Sequence, residues 1–357
     1  MKRRWKSLAA VMLGICILAG MAVDVWADDG SEKGYTYNYD YWGDISYSPD
    51  AYRTIGVYTS VELGLDKSFS SAEGMYVKDN SVYICDTGNN RIVQLERTDT
   101  ENFEVVRIID SIKGDTDVKT LSGPTDICVT DEGELYICDK GNHRILKLDK
   151  NLNYIMEFTK PIDSTFDQST DFLPDKLEVD DVGRVFCIAD NVNKGMIKYE
   201  ADGSFTGFYG ASPVTYDWTD YIWKKLATKA QRSALEAFVP TEYDNLYRDS
   251  EGFIFACTTN VSEQGVDSGE DEPIRRMNML GNNILIENGN FNVIGDVYWG
   301  NAGGYKGPSL ITDITALDSG IYFAVDYLSR TTKSLLDSNL ADGNYISWRK
   351  WKYGWIL

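Results

Sequence analysis

From about residue 70 to residue 326, apolar residues fall in short runs separated by turn-forming residues, and one plan recurs five times. The segments are Tyr76–Asp86, Ile127–Asp139, Glu178–Asp190, Tyr247–Thr258 and Ala316–Asp326. Each reads as a short apolar strand, an Asp/Gly-rich turn, and a second strand of β-branched and aromatic residues. Asp and Asn tolerate the turn backbone and Gly supplies positive φ, so each segment predicts a β-hairpin. In two copies the continuation is as regular: Asp86-Thr-Gly-Asn-Asn-Arg-Ile and Asp139-Lys-Gly-Asn-His-Arg-Ile both lead into a third, alternating strand. A weaker copy starts at Asp190, and a fourth strand follows at Tyr154–Phe158 and again at Phe205–Tyr209. Asp86 to Asp139 is 53 positions and Asp139 to Asp190 is 51. Four strands at a period of this length is the arrangement of a propeller blade.

Three stretches depart from the repeat. Within the lead-in, residues 28–70, Tyr35–Tyr41 alternates with period two and predicts a strand that completes the last blade and closes the ring, which removes exposed edges. In residues 217–238, Trp218, Ile222, Leu226, Ala230 and Phe238 recur at helical spacing, with a capping-box pattern over Thr228–Gln231. A one- or two-helix insertion over one face of the disc is therefore expected. After Asp326 the tail, 328–357, lacks both strand alternation and turn punctuation and is expected to leave the last blade short. A shift of reading frame near residue 328 would produce such a tail.

The Asp-x-Gly-Asn-x-Arg-Ile element after a hairpin resembles the NHL repeat, and the plan of residues 71–327 is similar to that of NHL-containing secreted proteins of Gram-positive bacteria. The resemblance implies an all-β, six-bladed propeller around a central channel, with five repeats visible here. It is more distantly similar to gluconolactonase-like propellers, which hold a divalent metal with a Glu/Asn/Asp set. The NHL-like amidating lyases use several histidines, and this chain has one, His143.

Lys2, Arg3, Arg4 and Lys6 precede an apolar run from Ser7 to Val23, and Val25-Trp26-Ala27 places small residues at −3 and −1 of a signal-peptidase site. Residues 1–27 therefore read as a signal peptide cleaved near Ala27, and the protein as secreted or at the cell surface. A membrane is reached only through an uncleaved signal. The mature chain would carry 31 basic and 54 acidic side chains, a net charge of about −23. Such a surface repels phosphate backbones and excludes nucleic acid as a partner. A monomer that binds a protein, a glycan or a small molecule is expected. The five mature cysteines, Cys85, Cys128, Cys138, Cys187 and Cys257, sit inside apolar runs and read as buried thiols.

Counting back 13 positions from the Asp that ends each second strand gives Glu73, Asp126 and Asp313, and the same count from Thr258 gives Asn245. In the third blade Asp175 aligns if a two-residue slip is allowed. These side chains would ring one mouth of the channel, where convergent carboxylate and amide oxygens suit Ca²⁺ or another divalent cation. The alternative is that they bond backbone or a neighbouring basic residue. The turn residues Asp86, Gly88, Asn89 and Arg91, their counterparts Asp139, Gly141, Asn142 and Arg144, and Asp190 read as structural, because a catalytic site needs an asymmetric set. The aromatics of Tyr35–Trp42 and the trio Trp218, Tyr221 and Trp223 suit either packing or stacking on sugar rings. No catalytic signature appears. The expectation is a binding or scaffold module, with a metal-dependent lactone hydrolase as the alternative.

Overall fold

The computed structural model describes residues 58–99, 102–114, 116–211, 242–262, 265, 271–285, 310–317 and 322–325 in full. Strand residues 36–39, 45–48, 321, 326, 331–336 and 346–347 are described as backbone. The described residues form an all-β propeller with almost no helix. The first blade is β3 (Ala72–Lys78), β4 (Ser81–Asp86), β5 (Arg91–Arg97) and β6 (Phe103–Ile109), and every strand pairs antiparallel with the next. The second is β7 (Pro124–Val129), β8 (Leu135–Asp139), β9 (Arg144–Leu148) and β10 (Tyr154–Phe158). The third is β11 (Pro174–Val179), β12 (Val185–Ala189), β13 (Met196–Tyr199) and β14 (Phe205–Tyr209). A three-stranded sheet follows, β15 (Asn245–Arg248), β16 (Ile254–Cys257) and β17 (Ile274–Met277). The last is β18 (Ile311–Ala316), β19 (Ile321–Asp326), β20 (Thr331–Leu336) and β21 (Ile346–Ser347).

Two expectations change. The N-terminal pattern predicts one closing strand, but β1 (Thr36–Tyr39) turns back on β2 (Ile45–Ser48) as a hairpin of its own, with β1 beside β21. The tail pattern predicts a short last blade, yet β20 and β21 extend that sheet to four strands. Thr331-Thr-Lys-Ser-Leu-Leu336 has β-branched residues without clean alternation, which pairing with β19 tolerates. The signal segment, the helical insertion at 217–238 and its aromatics lie outside the described residues, as do the side chains of Tyr35–Trp42.

The innermost strands β3, β7, β11, β15 and β18 are neighbours in that order. The second, third and fourth sheets are packed on both faces by adjacent blades, so their inner strands are buried on both sides rather than alternating; all six residues of β7 are buried. Ile92, Ile109, Ile127, Ile137 and Leu146 fill the space between the first two blades. Tyr136, Phe158, Phe172, Leu177 and Tyr199 fill the next. Phe186, Tyr209, Leu246 and Met277 follow, then Phe255, Ile311, Ile314 and Tyr322. The five cysteines are free thiols inside these layers.

The repeated turn closes each of the first two blades with one network. Asp86 Oδ1 accepts the Ser70 N–H at 2.7 Å, and its Oδ2 accepts Asn89 Nδ2 at 2.9 Å and Arg91 Nε at 2.7 Å. Asp139 repeats this with Ser122 N–H at 2.8 Å, Asn142 at 2.9 Å and Arg144 at 2.9 Å. Each arginine then reaches the loop before its blade, Arg91 at Asp66 and the Lys67 carbonyl and Arg144 at the Val118 carbonyl, and Arg144 also pairs with Glu157 of β10. Gly88 is required because a Cβ there would lie 2.8 Å from the Ser70 carbonyl oxygen, and at Gly141 the distance to the Ser122 carbonyl oxygen would also be 2.8 Å.

Both carboxylates are fully buried, and removing one partner of a buried ion pair costs about 3–5 kcal/mol. Asp139→Ala is therefore expected to lower unfolding free energy by roughly that amount. Urea denaturation checks it, with the exposed Glu132→Ala as the control expected to cost far less.

Candidate functional site

Sheet register decides which side chains share a level of the channel. Asp126 stands opposite Cys138, Asn245 opposite Cys257, and Asp313 opposite Val325. In the first blade the residue opposite Cys85 is Gly74, not Glu73, which sits in the bulge between Ala72 and Gly74. The turn after Val77 is one residue shorter than the turn after Val129, so a fixed count of 13 lands one position early. In the third blade the strand ends opposite Pro174 at Ala189, not Asp190, and the residue at the level of Asp126 is Lys176. Asp175 occupies the bulge, and its Oδ1 accepts Lys140 Nζ at 2.6 Å, with Asp190 on the same ammonium at 2.8 Å.

Gly74 serves close approach: a Cβ there would lie 2.3 Å from the Thr125 carbonyl oxygen. The remaining positions of the level are Asp126, Lys176, Asn245 and Asp313. Lys176 is the functional-level residue that counting from the terminal Asp misses. Aligning the third blade on its turn, Asp180–Arg184 against Thr130–Glu134, would have found it. Its ammonium crosses from the third blade to the first and donates to the Glu73 carbonyl at 3.0 Å. Asn245 Nδ2 donates to Asp313 Oδ1 at 2.6 Å, and Asp313 Oδ1 also accepts the Ile314 N–H at 2.7 Å. Asp126 Oδ2 accepts the Leu177 N–H of the next blade at 2.9 Å.

Burial raises the carboxyl pKa of Asp126 to about 6, against the field of Lys176 and the N–H groups of Leu177 and Ile127. Burial also raises Asp313, opposed by the Ile314 N–H, Lys176 and Asn245. Burial by itself would lower Lys176, but Asp126, Asp175 and Asp313 contribute to a net upward shift that keeps it charged. Lys176 makes no direct ion pair with these acids among the described residues. It acts through the field, which a low-dielectric channel screens weakly.

One level deeper lie Tyr76, Cys128 and Glu178. The Cys128 thiol is 3.6 Å from both the Tyr76 hydroxyl and Glu178 Oε2. Burial, then Asp126, raises Glu178 to about 7, while Arg248 opposes the shift. Burial drives the Cys128 thiol well above its ordinary range, so it is no ready thiolate nucleophile. At the far end, Lys78 pairs with Asp131, and Arg248 pairs with Asp181 at 2.9 Å.

Among the described residues no three carboxylate, thiol or imidazole side chains converge as metal ligands. Both ends of the Asn245 amide are engaged, since its Oδ1 accepts the Leu246 N–H at 2.8 Å. His143 has the positive φ of the turn, +57°, like Asn90 at +56°. Its Nδ1 meets the Phe172 carbonyl at 3.1 Å, tying the second blade to the third, as Asn90 Oδ1 ties the first to the second through Gly123. Arg276 is held by Asp249 at 2.8 Å and Glu251 at 2.6 Å.

The NHL repeat family model matches residues 121–148, which span β7, β8, the Asp139–Arg144 turn and β9. The same register and turn recur in the first blade. The chain carries an NHL repeat within a β-propeller. This NHL propeller also shows a likeness to the virginiamycin B lyase of Staphylococcus aureus, at 12% identity over 78% of this chain and 69% of that one, TM-score 0.43. A streptogramin B lyase structure matches at 13% identity over 90% and 82% of the two chains, TM-score 0.44.

The raised carboxyls of Asp126 and Glu178 carry a pH dependence. An acid whose folded pKa lies above its unfolded value binds more protons when folded, so stability falls as pH rises between the two values. For Asp126 the window is 3.8 to about 6, and for Glu178 it is 4.5 to about 7. Glu178→Gln is expected to flatten the melting-temperature change between pH 4.5 and 7 relative to the unmodified protein. An equal slope in both proteins would contradict the assignment.

Proposed function

We propose that this NHL propeller is an exported binding or scaffold module that presents its surface to a small molecule, a glycan or a cell-surface protein. The carrying observation is the position of Lys176. A basic side chain stands at the level where a metal-dependent hydrolase of this architecture would gather carboxylates, and its ammonium is already engaged with Glu73. The buried thiols and the repeated, internally satisfied turns add no reacting group. Secretion follows from the segment before Asp28, and the net charge of −20 for the whole chain favours partners other than polyanions. We read the ring as six-bladed, with the sixth position between β18 and β3 belonging to the N-terminal region around β1 and β2. The segment at 217–238 is read as a helical cap on one face.

The experiment is metal content by mass spectrometry, with melting temperature measured in EDTA and in Ca²⁺. No stoichiometric metal and no shift between the two conditions are expected. A bound divalent ion, with lactone turnover lost in Asp126→Asn, would replace this reading by the hydrolase.

A further inference from the structure

The third blade breaks the repeated turn. Where the first two blades pair Asp86 with Arg91 and Asp139 with Arg144 across the β ladder, the register of the third puts Ala189 in the acid's place. The arginine's place, directly before β13, falls to Gly195. Its φ is +85°, and a Cβ there would lie 2.6 Å from the Tyr209 carbonyl oxygen, so the position admits no side chain. In the first two blades the arginine fills the space between its turn and the preceding loop. In the third, that space is a groove of about 330 Å³ lined by Phe166, Asp167 and Thr170 of the loop, by Asn191–Lys194 of the turn, and by Phe208 of β14.

Its chemistry is mixed. Phe208, half-buried, lies nearly parallel to the buried Phe166, 12° between planes with centroids 6.3 Å apart, and forms the aromatic floor. Asn193 Oδ1 is a buried acceptor without a donor among the described residues. Leaving such an atom unsatisfied costs about 1–3 kcal/mol, so the groove favours an occupant that brings an N–H or O–H group. Lys194 donates to the Thr165 carbonyl at 2.6 Å and sits 5.6 Å from the Phe208 ring centre, with further ammonium donors to offer. Asp163 and Asp167 stay ionised on the same loop, because hydrogen bonds from Thr165 and Ser169 hold their carboxyls below the usual range.

A cationic ligand would meet Lys194 and an anionic one the two aspartates. The set suits a neutral molecule with one apolar face and several groups that both donate and accept. We propose that the groove is a carbohydrate subsite that takes a single pyranose ring, its C–H face on the phenylalanine floor and its hydroxyls on Asn193 Oδ1, Lys194 and Thr170. The volume lies at the small end of ligand sites, roughly 300–1,000 Å³, which limits the occupant to a short sugar. This rests on the binding-module reading and gives it a site and a ligand class.

The test is titration of the full chain with methyl glucoside, methyl galactoside and N-acetylglucosamine, followed by ligand-observed NMR, with arginine methyl ester and acetate as charged controls. At least one neutral sugar is expected to bind, and neither control to compete. Asn193→Leu should weaken that sugar roughly five- to tenfold, the loss of one hydrogen bond, while its melting temperature holds or rises because an unsatisfied acceptor is gone. Thr170→Val, which alters one hydroxyl and leaves the floor intact, should weaken it several-fold and serves if Asn193→Leu folds poorly. Sugar bound equally well by both variants would overturn the site while leaving a binding module. Absence of sugar binding, or preference for either charged control, would overturn the ligand class. Neither result bears on metal content, which tests the broader reading separately.

Discussion

An acidic propeller that brings its innermost strands together must place some of its carboxylates where water is scarce. Gly74 leaves no side chain between β3 and β7, and the channel beside them holds Asp126, Glu178 and Asp313. Each is raised by burial, Asp126 to about 6 and Glu178 to about 7. Such a channel is stable only with compensating groups. Here these are backbone N–H groups from the next blade, the Asn245 amide, Arg248 at one level and the Lys176 ammonium at the other. The inter-blade contacts at the axis and the electrostatics of the mouth are therefore one arrangement: Asp126 binds the backbone of β11, and Lys176 of β11 reaches back to β3.

That arrangement separates structure from chemistry along the chain. The repeated Asp–Arg turns use their charges internally, each carboxylate accepting three hydrogen bonds that join loop, turn and strand. Symmetry of this kind stabilises blades and leaves nothing over for a ligand. The third blade lacks the pair, and there Lys194 reaches the loop in place of an arginine.

The hairpins, the four-strand plan and the turn network were legible because each rests on local chemistry: Gly88 and Gly141 at close approaches, Asn90 and His143 at positive φ, Asp86 and Asp139 facing their arginines. The levels of the channel were legible only in part. Asp126, Asn245 and Asp313 follow from a fixed count because their hairpins share one length. Glu73 and Asp175 do not, since the turn after Val77 is shorter and β12 ends at Ala189, and a one-residue slip in a strand exchanges one side chain for its neighbour. Lys176 was thereby hidden behind Asp175. The tail strands β20 and β21 were obscured because Thr331–Leu336 lacks an alternating pattern.

Lys176 supplies the counter-charge of the channel mouth. The direct test is the carboxyl titration of Asp126 followed by ¹³C NMR in the unmodified protein and in Lys176→Met. A midpoint near 6 in the former, rising clearly in the variant, is the predicted result. The same midpoint in both proteins would show that the ammonium is not felt at Asp126, and would contradict the account.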